Sequence, residues 1–320
     1  NYSAWLEARA ARERAKAAAK AVANDAQRRI DERELPEHHM HSKTVKIGAM
    51  RESEKGGVYQ SLRALQEHIK KLFDTNGFEA EFQQLQRMTD QQVRDGDFTT
   101  ALRAENRDKN RYSNILPYEH ARVVLDPIDD LPGSDYVNAC WVDGETPDSR
   151  RRFIAAQGPK DVTVYDFWRT IWQHGVRVIV MLGESVEQAR LKFFKYWPDD
   201  DTAIEITNFR IAFRSESAYY SEVYVRRYDL TNTDTGETRP VVHMKYTAFP
   251  DHGVPSTTTG FLQLISQSSE EAQGAPVLVH CSAGVGRTGT FIACAIMIEK
   301  ARYASMAAIQ QPSGGGGGGG

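Results

Sequence analysis

The chain has 320 residues with 40 Lys+Arg against 43 Asp+Glu and a net charge of −3, so no global field draws it to nucleic acid or to an acidic membrane. Its 40% hydrophobic content supplies a real core, while its longest apolar runs, such as VRVIVML at 176–182, are too short to cross a bilayer. The cysteines, Cys140, Cys281 and Cys294, form no complete disulfide set and lack zinc-ligand spacing, which points to a reducing compartment and to no metal.

Residues 1–34 are rich in Ala, Arg, Glu and Lys, which favours helix by propensity but offers little core. A solvent-exposed helix or partly disordered arm is expected there, stopped by Pro36. His38, His39 and His41 read as a solvated linker, because no Cys or carboxylate cluster supports a metal site. RESEKGG at 51–57 reads as the end of that linker, so residues 1–57 form an arm and linker.

From residue 58 the pattern becomes that of a folded domain, expected to run to 306. Leu62, Leu65, Ile69 and Leu72 share one helical face, and Phe78, Phe82 and Leu85 share another. Residues 86–110 read as polar loop. VYDFWRTIWQHG predicts a helix with Phe167, Trp168, Ile171 and Trp172 inward and Gly175 as its stop, and VRVIVML a buried strand after it. AYYSEVYVRRYDL and RPVVHMKYTAF flank the turn TNTDTGET and predict a β-hairpin. GFLQLISQSSEEAQG predicts a helix and APVLVH another buried strand. Together these predict an α/β fold, a mixed sheet flanked by helices. The Gly-rich stretch 307–320 reads as a tail.

The residues richest in chemistry are VLVHCSAGVGRTGTF at 277–291, read as strand, loop and helix with the helix starting near Thr288 and ending near Tyr303. Such a loop aims the backbone N–H groups of Ser282, Ala283, Gly284, Val285 and Gly286 into one nest for a tetrahedral anion, and the helix N-terminus adds free N–H groups and a positive dipole end. Arg287 can close the cradle with a planar fork. The same donors stabilise negative charge on the Cys281 sulfur, which makes it a candidate nucleophile toward a bound phosphorus. Gly284, Gly286 and Gly289 also satisfy a dinucleotide-binding spacing, but no further strand with an acidic end follows.

HCSAGVGRTG at 280–289 resembles the signature loop of the protein tyrosine phosphatases. KNRYSNILPYEHARV, DYVNACWVDG, FIAAQGP, DFWRTIW, VIVML and KYWPD follow the family's order, so the resemblance covers about residues 60–303, and EHIKKLFDTNGFEAEFQQLQ looks most like receptor-type members. The resemblance implies the family's highly twisted mixed β-sheet, hydrolysis of phosphotyrosine in proteins through a cysteinyl-phosphate, no cofactor, and a cytoplasmic location. A membrane segment would lie only outside this chain, as for the intracellular part of a receptor.

By the same resemblance Cys281 is the nucleophile, Arg287 binds phosphate and Thr288 donates to the Cys281 sulfur. Asp251, in FPDHGVP, is the general acid on a mobile loop. A search for Trp-Pro-Asp would instead select Asp199, whose stretch is structural in the family. Tyr112 lines a pocket too deep for phosphoserine, His280 supports the loop, Glu187 orients Arg287, and Lys192 contacts the acid loop. Two departures stand out. Phe249 replaces the family's Trp, and the family's C-terminal helices with their Gln-containing loop are missing after ASMAAIQQP. They leave open an alternative, an impaired phosphatase that binds phosphotyrosine without useful turnover.

Overall fold

The computed structural model describes residues 52–144, 152–219, 222–250, 253–255 and 258–310. The arm expected at 1–34, the linker histidines His38, His39 and His41, the last ten residues and Asp251 lie outside the described residues.

Helix α1 spans Glu52–Asp74 and α2 spans Gly77–Asp95, joined through Asn76 in the left-handed region at φ 51°. Residues 52–57 are therefore helical, not linker, and Gly56 and Gly57 sit within α1. Leu72 is buried and Leu65 and Ile69 are at the surface. Phe78, Phe82 and Leu85 share a face of α2 as expected, yet this helix buries none of its residues. The stretch 86–110 is mostly ordered: α2 continues to Asp95, a short α3 covers Thr99–Leu102, and a 3-10 helix covers Ala104–Lys109. Its polar side chains hid this order, because they fasten backbone instead of filling the core. Asn106 Nδ2, for example, donates to the Thr100 carbonyl at 2.9 Å.

Strands β1 (Arg122–Val124), β2 (Tyr136–Val142) and β3 (Phe153–Ala156) come next, then α4 (Val164–Gln173) and β4 (Val178–Leu182). In α4, Phe167, Trp168 and Ile171 face inward, and Gly175 ends the turn at φ 64°. A small pair, β5 (Val186–Glu187) and β6 (Arg190–Leu191), stands apart from the main sheet. The order then runs β7 (Ala203–Ile206), β8 (Phe209–Tyr219), β9 (Val223–Asn232), β10 (Thr238–Tyr246), α5 (Thr259–Ala272), β11 (Val277–His280) and α6 (Gly286–Gln310). The expected hairpin is β9–β10, antiparallel from Thr231↔Thr238 to Val223↔Tyr246, but its first strand starts at Val223, since Ala218 and Tyr219 end β8. Strands β7 and β8 form a second hairpin for which the sequence analysis had no expectation. Helix α6 begins at Gly286 and reaches Gln310, so residues 307–310 are helix and not tail.

The nine-stranded sheet has the order β1-β2-β3-β11-β4-β10-β9-β8-β7. Its centre is parallel, with β11 between β3 and β4, and β10 beside β4; its flanks are antiparallel. This is the mixed α/β sheet that the sequence implied. Alternate side chains of the buried strands supply two cores. Val178, Val180, Val277 and Val279 pack with Phe261 and Leu264 of α5 and Phe291 of α6. Ile154, Ile179 and Leu278 pack with Phe167, Trp168 and Ile171 of α4 on the other face. The four parallel strands end together, which is where open α/β sheets place their ligands.

Candidate active site

Cys281 follows the last residue of β11 and is 5% exposed. The chain turns at Gly284, φ 79°, so that its N–H donates to the Cys281 sulfur at 3.3 Å. A Cβ at Gly284 would lie 2.4 Å from the Ala156 carbonyl oxygen, so no other residue fits there. Gly286 and Gly289 have room for a Cβ. The glycine pattern thus encodes one forced turn. Ser282, Ala283, Val285 and Gly286 complete the loop into α6.

Arg287 lies in the first turn of α6 and is buried, 8% exposed. Glu187 takes it in a two-pronged ion pair: Nη1 donates to Oε1 at 2.6 Å and Nη2 to Oε2 at 2.9 Å. Nη1 also donates to the Leu182 carbonyl at 3.3 Å, and Nε to the Pro250 carbonyl at 3.2 Å. The second bond matters because Pro250 immediately precedes Asp251, so the backbone that enters the Asp251 stretch docks on the arginine. Phe249 packs its ring into the core. It is 4% exposed and meets Phe261 edge-on at 5.8 Å, and Phe261 meets Phe291 of α6 at 5.9 Å.

Tyr112 and Ser282 form a wall. The Ser282 hydroxyl donates to the Lys192 carbonyl at 3.0 Å. Its single proton is thereby used, so the Tyr112 hydroxyl is the donor in the 3.0 Å bond between the two side chains. Arg111 holds the backbone beneath: its guanidinium donates to the Gly158 carbonyl at 3.2 Å and the Pro159 carbonyl at 2.8 Å. Lys192 Nζ lies 3.7 Å from Glu187 Oε2. The loop expected to meet Lys192 carries Asp251, which lies outside the described residues.

One expected contact is not made. Thr288 is fully buried, but its hydroxyl has no hydrogen-bond partner, and the sulfur's donor is the Gly284 N–H instead. The helix begins two residues earlier than expected, which carries Thr288 inside its first turn. Asp199 lies at the surface, its side chain 76% exposed. Its carboxylate pairs with Lys195, and its carbonyl accepts from the Thr202 hydroxyl at 2.6 Å.

Beneath the loop runs a buried chain of rings that sequence reasoning did not see. His280 Nδ1 meets the Cys281 carbonyl at 3.1 Å, so Nδ1 carries the proton. His280 Nε2 must then accept from the Tyr196 hydroxyl at 2.7 Å. Tyr196 in turn accepts from His243 Nε2 at 2.9 Å. All three side chains are fully buried. Burial pushes the His280 pKa down from 6.5 to about 4, and holds that of His243 well below its usual range, with Arg226 as a further cause.

Both folded pKa values lie below the unfolded one, so the unfolded chain binds more protons under mildly acid conditions. The stability these histidines contribute is complete above their ordinary pKa and is lost as the pH falls toward about 4. For His280, a pKa lowered from 6.5 to about 4 is worth roughly 3 kcal/mol. Urea midpoints should fall clearly between about pH 7.5 and about pH 5. An unchanged midpoint would mean that these rings do not stay neutral in the folded state.

The sequence profile named "Protein-tyrosine phosphatase" matches residues 106–312. The chain belongs to the protein-tyrosine phosphatase family. The phosphatase chain is 38% identical over 247 residues to the tyrosine-protein phosphatase Lar-like of Caenorhabditis elegans, covering 75% of this chain and 11% of that protein. It is 44% identical over 201 residues to the receptor-type tyrosine-protein phosphatase eta of Gallus gallus, covering 62% of this chain and 14% of the relative. The chain thus spans only a small part of these relatives. A solved structure titled "Structural basis of PTPN18 fingerprint on distinct HER2 tyrosine phosphorylation sites" is similar at 30% identity and a TM-score of 0.69, covering 77% of this chain and 85% of that one.

Proposed function

We propose that this phosphatase chain hydrolyses phosphotyrosine in proteins through a cysteinyl-phosphate. The observation that carries the reading is the pairing of Cys281, with a backbone N–H on its sulfur, and a buried Arg287 aligned by Glu187. In the first step the Cys281 thiolate attacks phosphorus, an S–P bond forms and the P–O bond to the phenol breaks. Asp251 gives its proton to the departing phenolate oxygen. In the second step water attacks phosphorus, Asp251 takes a proton from that water, and the S–P bond breaks to release phosphate and restore the thiolate. The loop N–H groups and Arg287 hold the equatorial oxygens in both steps.

Tyr112 gives the pocket an aromatic wall suited to a phenyl phosphate. The substrates are phosphotyrosine-containing proteins, met in the cytoplasm, as for the intracellular part of a receptor. No nucleic acid or cofactor has a part. The Phe249 ring is seated in the core, so this departure leaves the loop an aromatic anchor and does not by itself select the alternative of a non-hydrolysing binding module.

The two aspartates separate this mechanism from its rival. Asp251→Ala is expected to slow turnover of a phenyl phosphate with a poor leaving group by about 10²–10⁴-fold, and of an activated one much less. Asp199→Ala should leave the rate within about twofold, because its carboxylate pairs with Lys195. Steady-state rates with two leaving groups decide it. Equal damage from the two variants would overturn the assignment of the acid.

A further inference from the structure

Lys245 and Glu184 form an ion pair of 2.6 Å, with side chains 14% and 37% exposed. Lys245 lies on β10, beside Met181 of β4, on the strand that leads into the acid loop. Its ammonium also sits 5.7 Å from the centre of the Tyr224 ring. Glu184 follows Gly183, φ 103°, whose backbone lies against the arginine. A Cβ at Gly183 would be 2.0 Å from Arg287 Nη1 and 2.5 Å from Glu187 Oε1. The Glu184 N–H donates to Glu187 Oε1 at 3.1 Å, the same oxygen that accepts from Arg287 Nη1. A second carboxylate therefore hangs from the residue next to the guanidinium.

We propose that Lys245 is a positioning residue of the phosphatase reaction, which keeps the Glu184 carboxylate off Arg287. The proposal rests on the reading above, in which Arg287 holds the phosphate. Lys245, Arg287 and Lys192 are positive here, and Glu184 and Glu187 negative, so the cluster carries one net positive charge toward an anion. Without Lys245 the sum is zero. The released carboxylate is then an unneutralised anion on the residue after Gly183, whose backbone lies against the guanidinium, and opposite charges attract strongly where water is partly excluded. A guanidinium shared by two carboxylates presents less of its charge to the phosphate. The pair thus protects the anion site from a neighbour on its own chain.

The test is a set of variants of the whole chain: Lys245→Met, Glu184→Gln, their double variant, and Cys281→Ser. Each is assayed for kcat/KM with a phenyl phosphate, for inhibition by inorganic phosphate, and for thermal midpoint. Lys245→Met is expected to lose about tenfold in kcat/KM and about tenfold in phosphate affinity. Adding Glu184→Gln should return both to within about threefold of the parent, because the competing carboxylate is gone. Glu184→Gln alone should stay within about twofold, with the Lys245 bond kept. A merely structural Lys245 would lower the thermal midpoint and would not be rescued. Unchanged kinetics in Lys245→Met, or a defect that persists in the double variant, overturns the proposal. Turnover surviving in Cys281→Ser would instead overturn the reading beneath it, so the two failures are distinguishable.

Discussion

Cys281→Ser is expected to lose turnover of a phenyl phosphate by at least about 10⁴-fold, as when a nucleophile is removed from a covalent mechanism. Phosphotyrosine-peptide binding should remain within a few-fold of the parent. A serine hydroxyl is a far weaker acid and nucleophile than a thiol, so it offers no anion to attack phosphorus. The substitution removes one soft atom and leaves the turn at Gly284, the loop N–H groups and the Glu187–Arg287 pair intact. Fluorescence anisotropy with a labelled phosphopeptide measures the binding arm, and product release the kinetic one. Loss of both together would mean that the sulfur holds the loop in shape.

Arg287→Ala is expected to lose both binding and turnover, by about 10³-fold or more in kcat/KM, as for other arginines that clamp a transferring phosphoryl group. The cause is twofold. The guanidinium is missing, and Glu187, with its side chain only 15% exposed, stays behind as an anion in an anion site. Breaking a buried pair in this way typically costs about 3–5 kcal/mol of stability. The Arg287→Ala/Glu187→Gln variant should recover much of that stability but none of the turnover. Urea unfolding and steady-state kinetics on the two proteins separate the roles. Recovery of turnover in the double variant would show that Arg287 serves only to neutralise Glu187.

The signature loop was legible because its chemistry is local. A strand of VLVH, a turn requiring one glycine and a helix start lie within a single run of sequence, and that run supplies both Cys281 and Arg287. The buried strands and α4 were legible for the same reason: apolar side chains at regular spacing. What the sequence hid is carried by distant partners. Strand β8 is held mainly by its pairing with β9, and its mixed face gave no clean alternation. Tyr196, His243 and His280 come from three separate stretches, and only the fold joins them. Lys245 and Glu184 are ordinary charges until β10 and β4 are laid side by side. The Thr288 contact failed because it depended on where the helix begins, which side-chain pattern fixes only to within a residue or two. The exposed apolar face of α2 was legible as a face, but periodicity does not say what covers it.

The central claim is that phosphate passes through the Cys281 sulfur. Its most direct test is rapid acid quenching of the protein during turnover of a labelled phenyl phosphate, followed by peptide mapping. The account predicts a phosphoryl group on the peptide that contains Cys281, formed as fast as phenol is released and lost as phosphate appears. Steady phosphate release with no covalent phosphoprotein, or with the label on another residue, would contradict it.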